Sequence, residues 1–137
     1  MPDVRKEVAE LICYASAVLD PNKWLAEEAS DLATQIPDLD EIPPPAILTL
    51  AMLVAKGVSD AKMLALALDI EQTKLDDYLD ALCEFGFAEL MGASFKATPA
   101  GERAFDAVGH QMVDREMFAL KARLEHLEMI RRNLVIT

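Results

Sequence analysis

At 137 residues, with 53% hydrophobic and 27% charged side chains, the chain has the size of one compact domain and a composition far from that of disordered proteins. Its formal charge of −11 argues against a broad polyanion-binding surface, because Lys and Arg supply most of the affinity for nucleic acid. The longest apolar stretch, residues 46–55, is about half of the ~20 residues that span a bilayer, and the acids among the first ten residues do not read as a secretory signal. The expectation is therefore a cytoplasmic protein without a membrane segment.

The charge is uneven. Residues 1–45 carry −7, 46–82 carry −3, 83–109 carry −2 and 110–137 carry +1. In chain order, Val4, Val8, Leu11, Ile12, Ala15, Val18 and Leu19 recur at helical spacing, which predicts an amphipathic helix over 3–19. Asp20 as cap and Pro21 at the first helical position predict a second helix from 21 to about 35, burying Trp24, Leu25, Ala29, Leu32 and Ile36. These two helices make an N-terminal pair, 1–36, expected to pack together. Residues 37–45 hold four prolines and three acids, the composition of a stiff acidic linker.

Residues 46–56 are apolar on most sides and are followed by Gly57, which predicts a short buried helix. Ser59 is expected to cap a helix over 60–68, and Asp69 to take the left-handed turn after it. A further helix over 72–84 places Leu75, Tyr78, Leu79 and Leu82 on one face and ends at Gly86. Two short strands, 88–91 and 94–97, are joined by Gly92-Ala93 as a hairpin. Thr98-Pro99 opens a helix expected to end at Gly109.

From His110 onward, Val113, Met117, Leu120, Leu124, Leu127 and Leu134 follow a heptad seam that Arg131 interrupts. The seam predicts a long C-terminal dimerisation helix over 110–137, weighed against packing of the same stripe on the N-terminal helices of its own chain.

The segment from Lys62 to Leu90 contains Leu64-Ala65, Ile70 and Leu79-x-x-Leu82 at the spacing of a helix-turn-helix. Gly86-Phe87-Ala88-Glu89, the hairpin, and then Phe95-Lys96-Ala97-Thr98-Pro99-Ala100-Gly101-Glu102-Arg103 follow it. Together, over about residues 46–109, these features resemble winged-helix transcription regulators of the MarR and PadR types. The resemblance implies a mainly α fold: a winged helix-turn-helix domain at 46–109, with the N-terminal helical pair before it and the dimerisation helix after it. It implies a DNA-binding regulator acting as a homodimer, with Gln72, Thr73, Lys74, Ser94 and Lys96 as the DNA contacts and Val113, Met117, Leu120, Leu124 and Leu127 at the dimer interface.

Two features depart from that pattern. Asp69 stands where such regulators often have Gly, and the reading helix carries Glu71, Asp76, Asp77, Asp80 and Glu84 against Lys74 alone. This acidity supports the alternative of a winged-helix interaction module that binds a basic protein partner rather than DNA.

No pattern of catalytic chemistry is present in the sequence. His110 and His126 lie sixteen residues apart with no partner at metal-ligand spacing, and the five glycines are scattered singly. The expectation is a protein that is not an enzyme and takes no cofactor or metal. Cys13 and Cys83 are expected as buried free thiols. Met52, Met63, Met91, Met112, Met117 and Met129 are read as core filling, weighed against a pocket for a small hydrophobic effector.

Overall fold

The computed structural model describes residues 4–18 and 21–134. The expectations placed on the Ala15 and Val18 side chains, on Leu19 and Asp20, and on residues 135–137 lie outside the described residues. The elements in chain order are α1 (Val4–Val18), α2 (Pro21–Leu32), a 3-10 turn (Leu39–Glu41), α3 (Pro44–Lys56), β1 (Ser59–Asp60), α4 (Ala61–Leu68), α5 (Gln72–Glu84), β2 (Ala88–Met91), β3 (Ser94–Ala97) and α6 (Pro99–Asn133).

The core is organised around α3. This helix has too few polar side chains to face water on any broad side, and Ala46, Ile47, Leu50, Ala51 and Leu53 are all buried. Around it pack α1, α2, α5 and α6. Its one fully buried hydroxyl, on Thr49, donates to the Pro45 carbonyl oxygen at 3.1 Å, which satisfies the group within its own helix. The N-terminal helices each lean on α3 more than on one another. Ile12, Leu25, Ala29 and Leu32 reach the core, Val8, Trp24 and Ile36 are half-buried, and Val4 and Leu11 stay exposed.

Residues 37–45 do more than space two units. Leu39 and Ile42, the two aliphatic side chains set among the acids, are buried, and the 3-10 turn that presents Leu39 begins after Asp38 in a left-handed conformation, φ 71°. The next helix starts at Pro44, two residues before the expected start, because proline is well tolerated in the first helical turn, where no backbone N–H is needed.

Three further boundaries differ from the sequence reading. α2 ends at Leu32 rather than about residue 35, and Gln35 and Ile36 then donate back to the Leu32 carbonyl in a closing turn. Ser59 does not cap α4; Asp60 does, its Oδ1 accepting from the Met63 N–H at 2.7 Å, while Ser59 pairs with Phe95 as part of a third strand. The sheet is thus three-stranded and antiparallel in the order β1-β3-β2.

The largest difference is at Gly109, which does not end a helix. α6 runs unbroken for 35 residues. The glycine is there because α1 crosses closely: a Cβ at 109 would sit 2.5 Å from Val8 Cγ1. It therefore has a packing role inside a helix, where glycine costs about 1 kcal/mol relative to alanine in the absence of such a neighbour.

Candidate nucleic-acid interface

The region from α4 to the start of α6 is built from locally legible parts. Asp60 caps α4, and Asp69 turns the chain with φ 53°, so that Ile70 donates back to the Ala65 carbonyl and α5 can begin at Gln72. α5 buries Leu75, Leu79 and Leu82, which leaves the opposite face to water. After Gly86, at φ 79°, β2 and β3 pair Ala88 with Ala97, Glu89 with Lys96, Leu90 with Phe95 and Met91 with Ser94. Thr98 then ties the hairpin to α6: its Oγ1 accepts from the Gly101 N–H at 3.1 Å and donates to the Gly86 carbonyl at 2.5 Å.

Of the expected contact residues, Gln72, Thr73 and Lys74 share the exposed first turn of α5. Thr73 donates its hydroxyl to Glu71 Oε1 at 2.9 Å. Ser94 and Lys96 lie on β3, two residues apart and so on one face, opposite Phe95, which packs toward the core. Ser94 sits at the hairpin turn between Met91 and Asp60. Lys96 is not a free cation: its Nζ is 3.3 Å from Glu89 Oε1 on the neighbouring strand.

Electrostatically this surface is acidic. Glu71, just before α5, and Asp76, Asp77, Asp80 and Glu84 on it are all exposed. Arg115 is held by Glu28 and Asp31 of α2, and Arg5 by Glu102 and Asp106 of α6, so both guanidiniums are engaged away from α5. The expected interface residues of α6 behave differently: Val113 is half-buried, whereas Met117, Leu120, Leu124 and Leu127 are exposed.

No protein-family model matches the chain, and no curated protein matches it. Solved structures do, among them the following two. One is a probable transcriptional regulator from Pseudomonas aeruginosa, 14% identical with a TM-score of 0.52 over 79% of this chain and 89% of that one. The other is a MarR family transcriptional regulator from Silicibacter pomeroyi DSS, 20% identical with a TM-score of 0.54 over 82% of each chain. The chain has the winged-helix fold. In its terms, α4 and α5 are the helix-turn-helix and the β2–β3 hairpin is the wing.

Beside this winged helix lies a groove that the sequence did not reveal. It has a volume of about 690 Å3 and opens between α1, α3 and β1, with Cys13, Met52, Lys56 and Met63 among its walls. Of the six methionines weighed as an effector pocket, only Met52 and Met63 meet there; Met112 is buried, and Met91, Met117 and Met129 are exposed elsewhere. Spacing along the chain carries no information on which helices come together, so the set could not be sorted beforehand. Cys13 and Cys83 are free thiols, half-buried, and burial pushes both thiols up from their ordinary pKa. Among the described residues, no group of three or more His, Cys, Asp and Glu is placed to hold a metal, and no helix is long and apolar enough to cross a membrane.

Proposed function

We propose that the chain is a DNA-binding transcription regulator of the winged-helix type, acting in the cytoplasm as a homodimer and carrying out no catalysis of its own. The observation that carries this reading is the exposed first turn of α5, with Gln72, Thr73 and Lys74, flanked by a wing that offers Ser94 and Lys96, in a fold shared with two transcriptional regulators. The N-terminal end of a reading helix is the part that meets base edges in a major groove, and glutamine and lysine are side chains suited to adenine and guanine there. The dimer interface would be Val113, Met117, Leu120, Leu124 and Leu127, which would hold two reading helices at a fixed separation on a two-fold related site.

The exposed carboxylates of α5 set the strength of binding. A dimer of such heads offers few cations where a typical site neutralises ~6–10 phosphates, so the complex forms at low salt and dissociates steeply as salt rises. Titrating genomic fragments with the protein at low salt, followed by gel shift or anisotropy, tests the reading. Retarded complexes at micromolar protein that weaken on Lys74→Ala support it, and no shift at all overturns it.

A second reading is favoured by one observation, the pairing of Lys96 with Glu89 beside the exposed carboxylates of Glu71 and of Asp76, Asp77, Asp80 and Glu84 on α5. An acidic reading helix of this kind is complementary to a basic protein, and such complementarity chiefly speeds association and selects partners. Salt-sensitive binding of a defined lysine-rich peptide that is lost on neutralising Asp76, Asp77 and Asp80, together with no binding to DNA, would replace the first reading with this one.

A further inference from the structure

Phe87 stands where three elements meet. Its N–H donates to the Leu82 carbonyl near the end of α5, at 2.8 Å, and its own carbonyl accepts from the Thr98 N–H at 3.0 Å. Because β2 begins at Ala88 and β3 ends at Ala97, Phe87 and Thr98 are the two feet of the wing. The Thr98 hydroxyl closes the same junction, donating to the Gly86 carbonyl and accepting from the Gly101 N–H. Gly101, in the first turn of α6, is buried against it. A Cβ at 101 would run into the Phe87 carbonyl oxygen and would lie 3.2 Å from Leu50 Cδ1 on α3.

Backbone thus meets backbone across the junction, which is the close approach that only glycine permits. α1 and α2 hold α6 in another way. Their ion pairs to it run through long side chains, Arg5 to Glu102 and Asp106 and Arg115 to Glu28 and Asp31, and both guanidiniums are half in water.

We propose that Thr98 and Gly101 are positioning residues, which fix the wing and α5 to α6 as one rigid unit and so set the angle at which the contacts of α5 and the wing meet DNA. The inference rests on the DNA-binding reading above and adds what orients its contacts. Those contacts are few, Gln72, Thr73 and Lys74 on α5 with Ser94 and Lys96 on the wing, so all must reach the duplex at once. Gln72 lies ten residues from Leu82, or about 15 Å along the helix. At that reach a rotation of about 10° displaces it by about 2.6 Å, well beyond the ~0.5 Å that a binding constellation tolerates. Leu75, Leu79 and Leu82 also hold α5 in the core. Apolar contact is non-directional, however, whereas the hydrogen bonds of the junction prescribe an angle.

The test uses the full chain. In a Cys13→Ser, Cys83→Ser background, spin labels are placed on Asp77→Cys of α5 and Glu125→Cys of α6, both exposed positions, and diluted with unlabelled protein so that only distances within one chain are read. Binding of a genomic fragment that the parent retards at low salt is measured on the same variants without labels. Thr98→Val is expected to widen the α5–α6 distance distribution and to weaken fragment binding about tenfold, the scale of losing one well-placed base contact. Gly101→Ala, the harsher change, displaces the centre of the distribution, and Thr98→Val carries the test where that variant does not fold. Thr98→Ser restores both readouts. Gly109→Ala disturbs α1 instead, so it leaves both as in the parent although it too loses stability. An unchanged distribution in Thr98→Val, an equal widening in Gly109→Ala, or widening without loss of binding overturns the proposal. A parent that retards no fragment overturns the DNA-binding reading and this one with it, and the label distances distinguish that outcome from a junction that does not hold.

Discussion

Arg115 on α6 reaches across to Glu28 on α2, Nη1 to Oε1 at 2.8 Å, and this pair marks the point at which the last helix leaves the body. Glu28 is only 2% exposed, and its other oxygen accepts from the Gln111 amide on the same face of α6; Arg115 also holds Asp31 at 2.8 Å. The carboxylate is buried, and its cation is half in water.

Arg115→Met leaves Glu28 with the amide of Gln111 as its one remaining partner among those described. The expected loss is about 1–3 kcal/mol, the cost of a buried polar group left short of partners, below the ~3–5 kcal/mol of a fully buried pair because the guanidinium is half exposed. In a Glu28→Gln background the same change should cost much less. Chemical denaturation of the four variants reads this coupling directly, and equal losses in both backgrounds would mean that the pair contributes nothing.

Thr98→Val keeps the shape of the side chain and removes the hydroxyl that caps α6 and holds the Gly86 carbonyl. A loss of about 0.5–2 kcal/mol is expected, as for other helix caps, with Thr98→Ser close to the parent. Thermal unfolding at one concentration checks it.

Gly109→Ala tests whether the glycine is there for α1. By helix propensity alone the change should stabilise by about 1 kcal/mol. The collision with Val8 reverses the sign to a net loss of about 1–3 kcal/mol, the usual cost of overfilling a packed contact. Val8→Ala should relieve most of that loss in the double variant. If Gly109→Ala is stabilising by itself, the close approach of α1 is not what selects the glycine.

Lys96 is restrained by Glu89 on the next strand. On the DNA-binding reading, Glu89→Gln frees one cation per protomer, so affinity at low salt rises several-fold and the salt dependence steepens by about 0.9 for each phosphate gained. Lys96→Ala should cancel the gain. Anisotropy titrations at three salt concentrations separate these outcomes.

The Cys13 thiol is held above its ordinary pKa by burial, with the Glu10 carboxylate adding to the effect. Its neutral form is thus favoured by folding. Stability from this group is constant below the usual thiol pKa of about 8.5 and falls as pH rises through it, because the unfolded chain then ionises first. Unfolding midpoints at pH 7 and 9.5 should converge in Cys13→Ser relative to the parent.

Much of the winged helix was legible because its signals are local. The ends of α5, both wing strands, the left-handed Asp69 and the Thr98 cap follow from side chains acting within a few residues of themselves. The cap of α4 was misplaced by one residue, since Ser59 and Asp60 are both good cap residues and only the pairing of Ser59 with Phe95 decides between them. Gly109 was misread for a related reason. A glycine that lets another helix approach looks, along the chain, like a glycine that ends one.

The sequence alone determined the kind of elements and their order, and with them the winged helix, because apolar periodicity and turn chemistry act at short range. Tertiary structure decided what those elements do to one another: that Leu39 and Ile42 anchor the proline segment, that Glu28 is buried beneath Arg115, that Lys96 is tied to Glu89, and that the far half of α6 is exposed. Burial and ion pairing depend on contacts between residues far apart in the chain, and those exist only once the helices have packed.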